Sequence, residues 1–135
     1  MGATMPHLTL EYTANLDEWA NDSDLLRSLH QLLHSVAGIR IENCKSRWRM
    51  VEEWVVGKGE GESAFLHLDL RFLEGRPLGT KQAVGTGALD LIQKHFASIP
   101  EDLGLQITVE IQDIKKDTYF KHPPGTLGPP SLSIV

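Results

Sequence analysis

Cysteine is nearly missing from this chain: Cys44 is the only one in 135 residues. It can close no intramolecular disulfide and cannot build a thiolate metal cage by itself, so a reducing interior is the natural setting. Long apolar runs are missing too, and no charged-then-apolar leader opens the chain. Neither a membrane span nor an export signal is expected, which makes the cytoplasm the default location. Positive charge is in deficit, with 13 Lys and Arg against 18 Asp and Glu, for a formal net charge of −5. That balance argues against bulk attraction to nucleic acid or to an anionic membrane, both of which need a basic face.

What is present is ordinary for a globular protein, with 41% apolar and 23% charged residues. One domain of this size buries about two-thirds of its unfolded surface. Residues 7–13 alternate Leu8, Leu10 and Tyr12 with polar neighbours, the period of a half-buried strand. Leu25, Leu26, Leu29, Leu32, Leu33 and Val36 then recur on one helical face, with Asp22 or Ser23 to cap the start and Gly38 to end it. Lys45 to Val56 reads as a long, bent strand, broken by Gly57, Gly59 and Gly61. Residues 64–72 alternate again, a second helix is expected from about Thr80 to Ala97 with Pro100 ending it, and residues 105–114 give a fourth strand. On this helix Ala83, Val84, Gly87, Ala88, Leu91, Ile92 and Phe96 face inward.

The order is strand, helix, strand, repeated once. Each crossover is long enough for its two strands to pair in parallel with the helix on one face, giving an α+β domain. The stretch after Phe120 is rich in Pro and Gly and reads as an irregular arm over 121–135, apolar at its end and suited to docking on a neighbouring subunit. A ferredoxin-like RNA-binding sheet has the same element order. Phe65 and Phe72 fall on opposite faces of their strand, however, and the expected RNP consensus is missing.

The segment MPHLTLEYTANL, Met5–Leu16, resembles the opening of 5-carboxymethyl-2-hydroxymuconate isomerases, members of the tautomerase superfamily that includes 4-oxalocrotonate tautomerase and macrophage migration inhibitory factor. Ser46–Arg47, Ala64–Phe65 with His67, Gly75–Arg76, His95–Phe96 and Phe120–Lys121 match in the same register, so the resemblance runs from residue 6 to about 122. It implies a tautomerase-like βαβ–βαβ two-layer sandwich over 6–120, a four-stranded mixed sheet with two helices on one face. It also implies a homotrimer around a central channel, no metal, no cofactor and a small polycarboxylate substrate. The implied reaction is a 1,3-proton shift that turns a 2-hydroxy-dienoate into a conjugated 2-oxo acid, within aromatic acid degradation.

By that resemblance Pro6 is the catalytic base, acting through an amino-terminal secondary amine. An α-amino group titrates near ~8 in model compounds, and burial or nearby cations favour its neutral form. As written, Pro6 follows Met5 and its nitrogen is an amide without useful basicity. Residues 1–5 are therefore either an extension or cloning scar that is absent from the working enzyme, or a block. The second case makes the chain a non-catalytic trimeric binding protein of the same fold. Read without the resemblance, Pro6 is a proline opening a strand, where its missing N–H costs nothing.

Arg76 matches an arginine that holds substrate carboxylate, a task suited to its planar fork; by itself it reads as a solvated loop residue. Lys45 stands where the family has a second arginine, and Arg47 matches two positions on. Alternation puts Lys45, Arg47 and Arg49 on one side of their strand, either as a carboxylate-binding field or as a solvated edge that resists aggregation. His30 and His34, four apart on the first helix, could grip zinc but lack a third ligand, so exposed helix residues are the reading. Trp48, Met50 and Trp54 share a face suited to packing. Gly57-Lys58-Gly59-Glu60-Gly61 lacks a GK[ST] ending and reads as a hairpin-like connection.

Overall fold

The computed structural model describes residues 5–125. The first strand, β1 (His7–Thr13), alternates buried and half-buried residues as its sequence does. Helix α1 (Ser23–Ala37) follows, its start capped by the Asp22 carboxylate accepting from the Asp24 amide and its end closed by Gly38 in the left-handed region at φ 67°. Strand β2 (Lys45–Val51), strand β3 (Ala64–Leu73), helix α2 (Leu78–His95) and strand β4 (Leu105–Ile114) complete the domain. The sheet order is β2-β1-β3-β4. Within each half the strands are parallel, β1 with β2 and β3 with β4, and the halves meet along the antiparallel β1–β3 seam.

Both helices cover the same face of this sheet. Leu8, Leu10, Leu66, Leu68, Leu70 and Phe72 on that face are fully buried, with Leu29 and Leu33 of α1 and Val84, Ala88 and Ile92 of α2 packed against them. Burying one such leucine contributes about 1.5–3 kcal/mol, so this layer holds the sheet and helices together. The helices approach closely at Gly87, where an added methyl would lie 2.8 Å from Leu32 Cδ1. Trp48 packs edge-on against Tyr12 at 5.6 Å and donates to the Asp22 carbonyl at 3.3 Å, which makes it core packing.

Several expectations need correction. β2 stops at Val51, not Val56, because its neighbour β1 ends at Thr13, the partner of Val51. Exposed Glu52 and Glu53 follow, and Trp54 leaves the strand to donate to Ser63 Oγ at 3.2 Å. The glycine-rich stretch is not a hairpin: β2 and β3 flank β1 on opposite sides, so the chain must cross over the end of β1 to connect them. Gly57, Gly59 and Gly61 all have positive φ along that path. Helix α2 starts at Leu78 behind Pro77, whose carbonyl accepts from the Thr80 and Lys81 amides, and it ends at His95; Pro100 opens a separate 3-10 turn. Ala83 is exposed on α2, and Val36 on α1 remains 38% exposed. Of the C-terminal arm, 126–135 lie outside the described residues, as do 1–4 at the other end.

Candidate functional site

The antiparallel seam sets the starts of β1 and β2 beside the ends of β3 and β4. Pairing makes Lys45, His7 and Arg71 level with one another across three adjacent strands. They stand on the face that the helices leave open. This face is polar along β1, β2 and β3, carrying Thr9, Glu11, Arg47, Arg49, His67 and Asp69.

Pro6 immediately precedes β1 and is buried. Its carbonyl accepts from the Lys45 amide at 3.1 Å, which extends the β1–β2 pairing by one bond. Alternation along β1 keeps it in step with Leu8, toward the helix side. Met5, which acylates the Pro6 nitrogen, is only 1% exposed, and the Lys45 ammonium stands 3.9 Å from its sulfur while donating to the Asn43 carbonyl at 3.1 Å. The structure thus brings Lys45 beside the Met5–Pro6 step.

Arg76 is held in place by the protein. Its Nε and one terminal nitrogen donate to the Ala37 carbonyl at 3.1 and 3.0 Å, and its guanidinium lies 5.3 Å from the centre of the Phe72 ring. It thereby satisfies an orphan carbonyl at the C-terminal end of α1, where a cation also suits the helix dipole. Burial pulls its pKa below the ordinary arginine value.

Arg47 points elsewhere, across the open face. One terminal nitrogen donates to His7 Nδ1 at 2.8 Å and the other to Thr9 Oγ1 at 3.3 Å. His7 reaches Tyr119 Oη through Nε2 at 3.0 Å. Burial, followed by the charges of Arg47, Lys45 and Arg71, lowers the His7 pKa, so its imidazole is neutral at pH 7. These groups line a cavity of about 510 Å³ together with Asp69, Arg71, Asp113 and Lys115. Pro6, Lys45 and Arg76 are not in its lining.

The sequence had singled out Arg47, but not Arg71, Lys115 or Tyr119. Arg71 could have been found, because alternation with Leu70 and Phe72 turns it to the open face. Tyr119 follows an irregular turn, and no local pattern announces that it folds back onto β1. His7 is the centre of a hydrogen-bond chain. His30 bonds Ser46 Oγ at 2.8 Å, and His34 Nδ1 donates to the Ile39 carbonyl at 3.1 Å. Among the described residues no group of three His, Cys, Asp or Glu side chains is placed to hold a metal ion. Cys44 is half-buried, and burial pushes its thiol up to about 11, so it is no ready nucleophile.

Two βαβ halves joined on one mixed sheet define a tautomerase-type domain. The chain shares this fold with a fused 4-OT wild-type symmetric trimer, at a TM-score of 0.60 and 16% identity over 85% of this chain and 90% of that one. The family model for 5-carboxymethyl-2-hydroxymuconate isomerase matches residues 6–124. The 5-carboxymethyl-2-hydroxymuconate Delta-isomerase of Escherichia coli is 28% identical over 117 residues, 87% of this chain and 93% of that protein. The crystal structure of a 5-carboxymethyl-2-hydroxymuconate isomerase from Deinococcus radiodurans R1 aligns at a TM-score of 0.82 and 28% identity, covering 90% of this chain and 92% of that one. This chain belongs to the 5-carboxymethyl-2-hydroxymuconate isomerase family.

Proposed function

We propose that this protein is a cofactor-free isomerase that moves a proton across a 2-hydroxy-dienoate bearing several carboxylates, giving the conjugated 2-oxo acid. Pro6 is the base and then the acid, once residues 1–5 are gone and its nitrogen is a secondary amine. Lys45 and Arg76 hold carboxylates and steady the dienolate as charge develops on it. Arg47 adds positive charge from the open face. The proton taken up by Pro6 is returned to carbon, so the cycle needs neither metal nor redox partner.

The observation that carries this reading is the pairing of Lys45 with the Met5–Pro6 step. A cation beside a buried amine disfavours its ammonium form and also attracts an anionic substrate. Family membership supports the reaction class. The polar open face supports a homotrimer whose sheets line a watery channel, and the likeness to a symmetric trimer of this fold agrees. The reading places the protein in the cytoplasm, in aromatic acid breakdown; among the described residues no helix is long and apolar enough to cross a membrane.

A second reading rests on Met5. Its side chain is fully buried, so the chain carrying it presents a packed, acylated proline, as a non-catalytic binding protein would. Comparing a protein that begins at Pro6 with the 135-residue chain separates the two, by following loss of dienol absorbance. The enzyme reading requires turnover in the trimmed form and little in the longer one; equal rates refute the proline amine as base. The intact mass of protein from its native source shows which form exists there.

A further inference from the structure

We propose that the cavity on the open face of the sheet is a second anion site, which binds an extended organic dicarboxylate between Arg47 and Lys115 with the Tyr119 hydroxyl as a directed donor. The proposal stands whether or not Pro6 is a base.

The hydrogen-bond directions are forced. A guanidinium has only donors, so His7 Nδ1, 2.8 Å from Arg47, must accept. The proton of the neutral ring therefore sits on Nε2, which donates to Tyr119 Oη at 3.0 Å. The Tyr119 oxygen accepts from His7, and its own proton has no protein acceptor among the described residues. Tyr119 lines the cavity, where a ligand oxygen would take that proton. The relay leaves a donor where an anion would need one.

Charge agrees with this direction. Asp69 is paired with Arg71 at 3.1 Å and also accepts from Gln112 at 3.2 Å, while Asp113 is paired with Lys81 at 3.3 Å. Neither carboxylate is free to compensate the remaining cations. Arg47 and Lys115 have no carboxylate partner among the described residues, so the lining keeps two uncompensated positive charges in a protein of net charge −5. These two cations come from opposite edges of the sheet, Arg47 from β2 and Lys115 from just beyond β4. A ligand with an anionic group at each end suits two cations that come from strands three spacings apart. A volume of about 510 Å³ is that of a small-molecule site and is far larger than an inorganic ion needs.

Calorimetric titration with adipate, a six-carbon dicarboxylate, tests this on the 135-residue chain and on R47Q, K115Q, Y119F and P6A, each checked by amide NMR for an intact fold. Adipate binds the parent chain more tightly than inorganic phosphate does. R47Q and K115Q each weaken adipate about tenfold or more, as loss of a charged hydrogen bond does, and Y119F weakens it about two- to tenfold. P6A binds as the parent does. Nitrogen-15 spectra of the imidazole show His7 protonated on Nε2, and adipate shifts the Tyr119 ring signals. The proposal is overturned if adipate fails to bind, or if phosphate binds better. It is equally overturned if the folded R47Q, K115Q and Y119F proteins bind adipate as the parent does, or if P6A abolishes binding and so places the anion at the proline.

Discussion

Arg76 donates two hydrogen bonds to one backbone oxygen, that of Ala37, tying the loop before α2 to the end of α1. The same arginine is proposed to hold substrate carboxylate, and its fork allows both, because only Nε and one terminal nitrogen face Ala37. Replacing it with alanine leaves the Ala37 oxygen unpaired and removes the guanidinium from the Phe72 ring. R76A should therefore lose about 1.5–3 kcal/mol in urea unfolding. R76K keeps the charge without the fork and should lose less stability, yet its kcat/KM should fall about tenfold or more. If R76K activity falls only as far as its folded fraction does, Arg76 is a helix clamp and takes no part in binding substrate.

Acid should loosen this fold through its histidines. Burial lowers the pKa of His30, and burial with three nearby cations lowers that of His7, both from an ordinary value of 6.5. The unfolded chain then binds more protons than the folded one between the depressed values and 6.5. The stabilisation from these two rings is complete above pH 6.5 and is lost as pH falls through the folded values. Arg47→Gln removes one of the causes at His7, so the His7 pKa should rise toward 6.5 in an NMR titration while that of His30 stays where it is. A His7 pKa unmoved by R47Q would remove Arg47 from its causes and leave burial with Lys45 and Arg71.

Periodicity made the architecture legible because two helices share one face of the sheet. Leu8, Leu10, Leu66, Leu68 and Leu70 meet that layer and alternate cleanly, and α1 begins and ends at the Asp22 and Gly38 that its sequence offers. The failures come where no alternation speaks. Val51 ends β2 because β1 ends, a fact of pairing that lies nearly forty residues away in the chain. Pro6, Lys45, Arg47 and Arg76 are singled out by resemblance, and the sequence could not tell that of these four only Arg47 lines the open-face cavity. Tyr119 was invisible for a similar reason, since its contact with His7 spans 112 positions.

Thr13 is the only buried polar side chain among the described residues. Its hydroxyl donates to Asn15 Oδ1 at 2.7 Å and accepts from the Phe65 amide at 3.2 Å, joining the end of β1 to the start of β3. Thr13→Val keeps the shape and strands the Phe65 amide, so urea unfolding should show a loss of about 1–3 kcal/mol. Thr13→Ser retains both bonds and gives up one methyl, so it should lose about 1 kcal/mol. A Thr13→Val protein as stable as the parent would mean that the hydroxyl contributes nothing to the fold.

Lys45 tests how far a point charge can replace a fork. The resemblance puts arginine at this position, but here an ammonium sits 3.1 Å from the Asn43 carbonyl and 3.9 Å from the Met5 sulfur. In protein that begins at Pro6 the sulfur is gone, and the ammonium is free to turn toward the amine and the bound dienolate. Lys45→Met then removes a charged contact of about 1.5–3 kcal/mol, which corresponds to a roughly 10–100-fold lower kcat/KM. It also removes a cation that keeps the proline neutral, so the pH at which kcat/KM reaches half its plateau should rise. Lys45→Arg preserves the charge, and its pH profile should match that of the parent. A Lys45→Met enzyme with lowered kcat/KM but an unmoved pH profile would confine Lys45 to holding carboxylate and leave the basicity of Pro6 to burial.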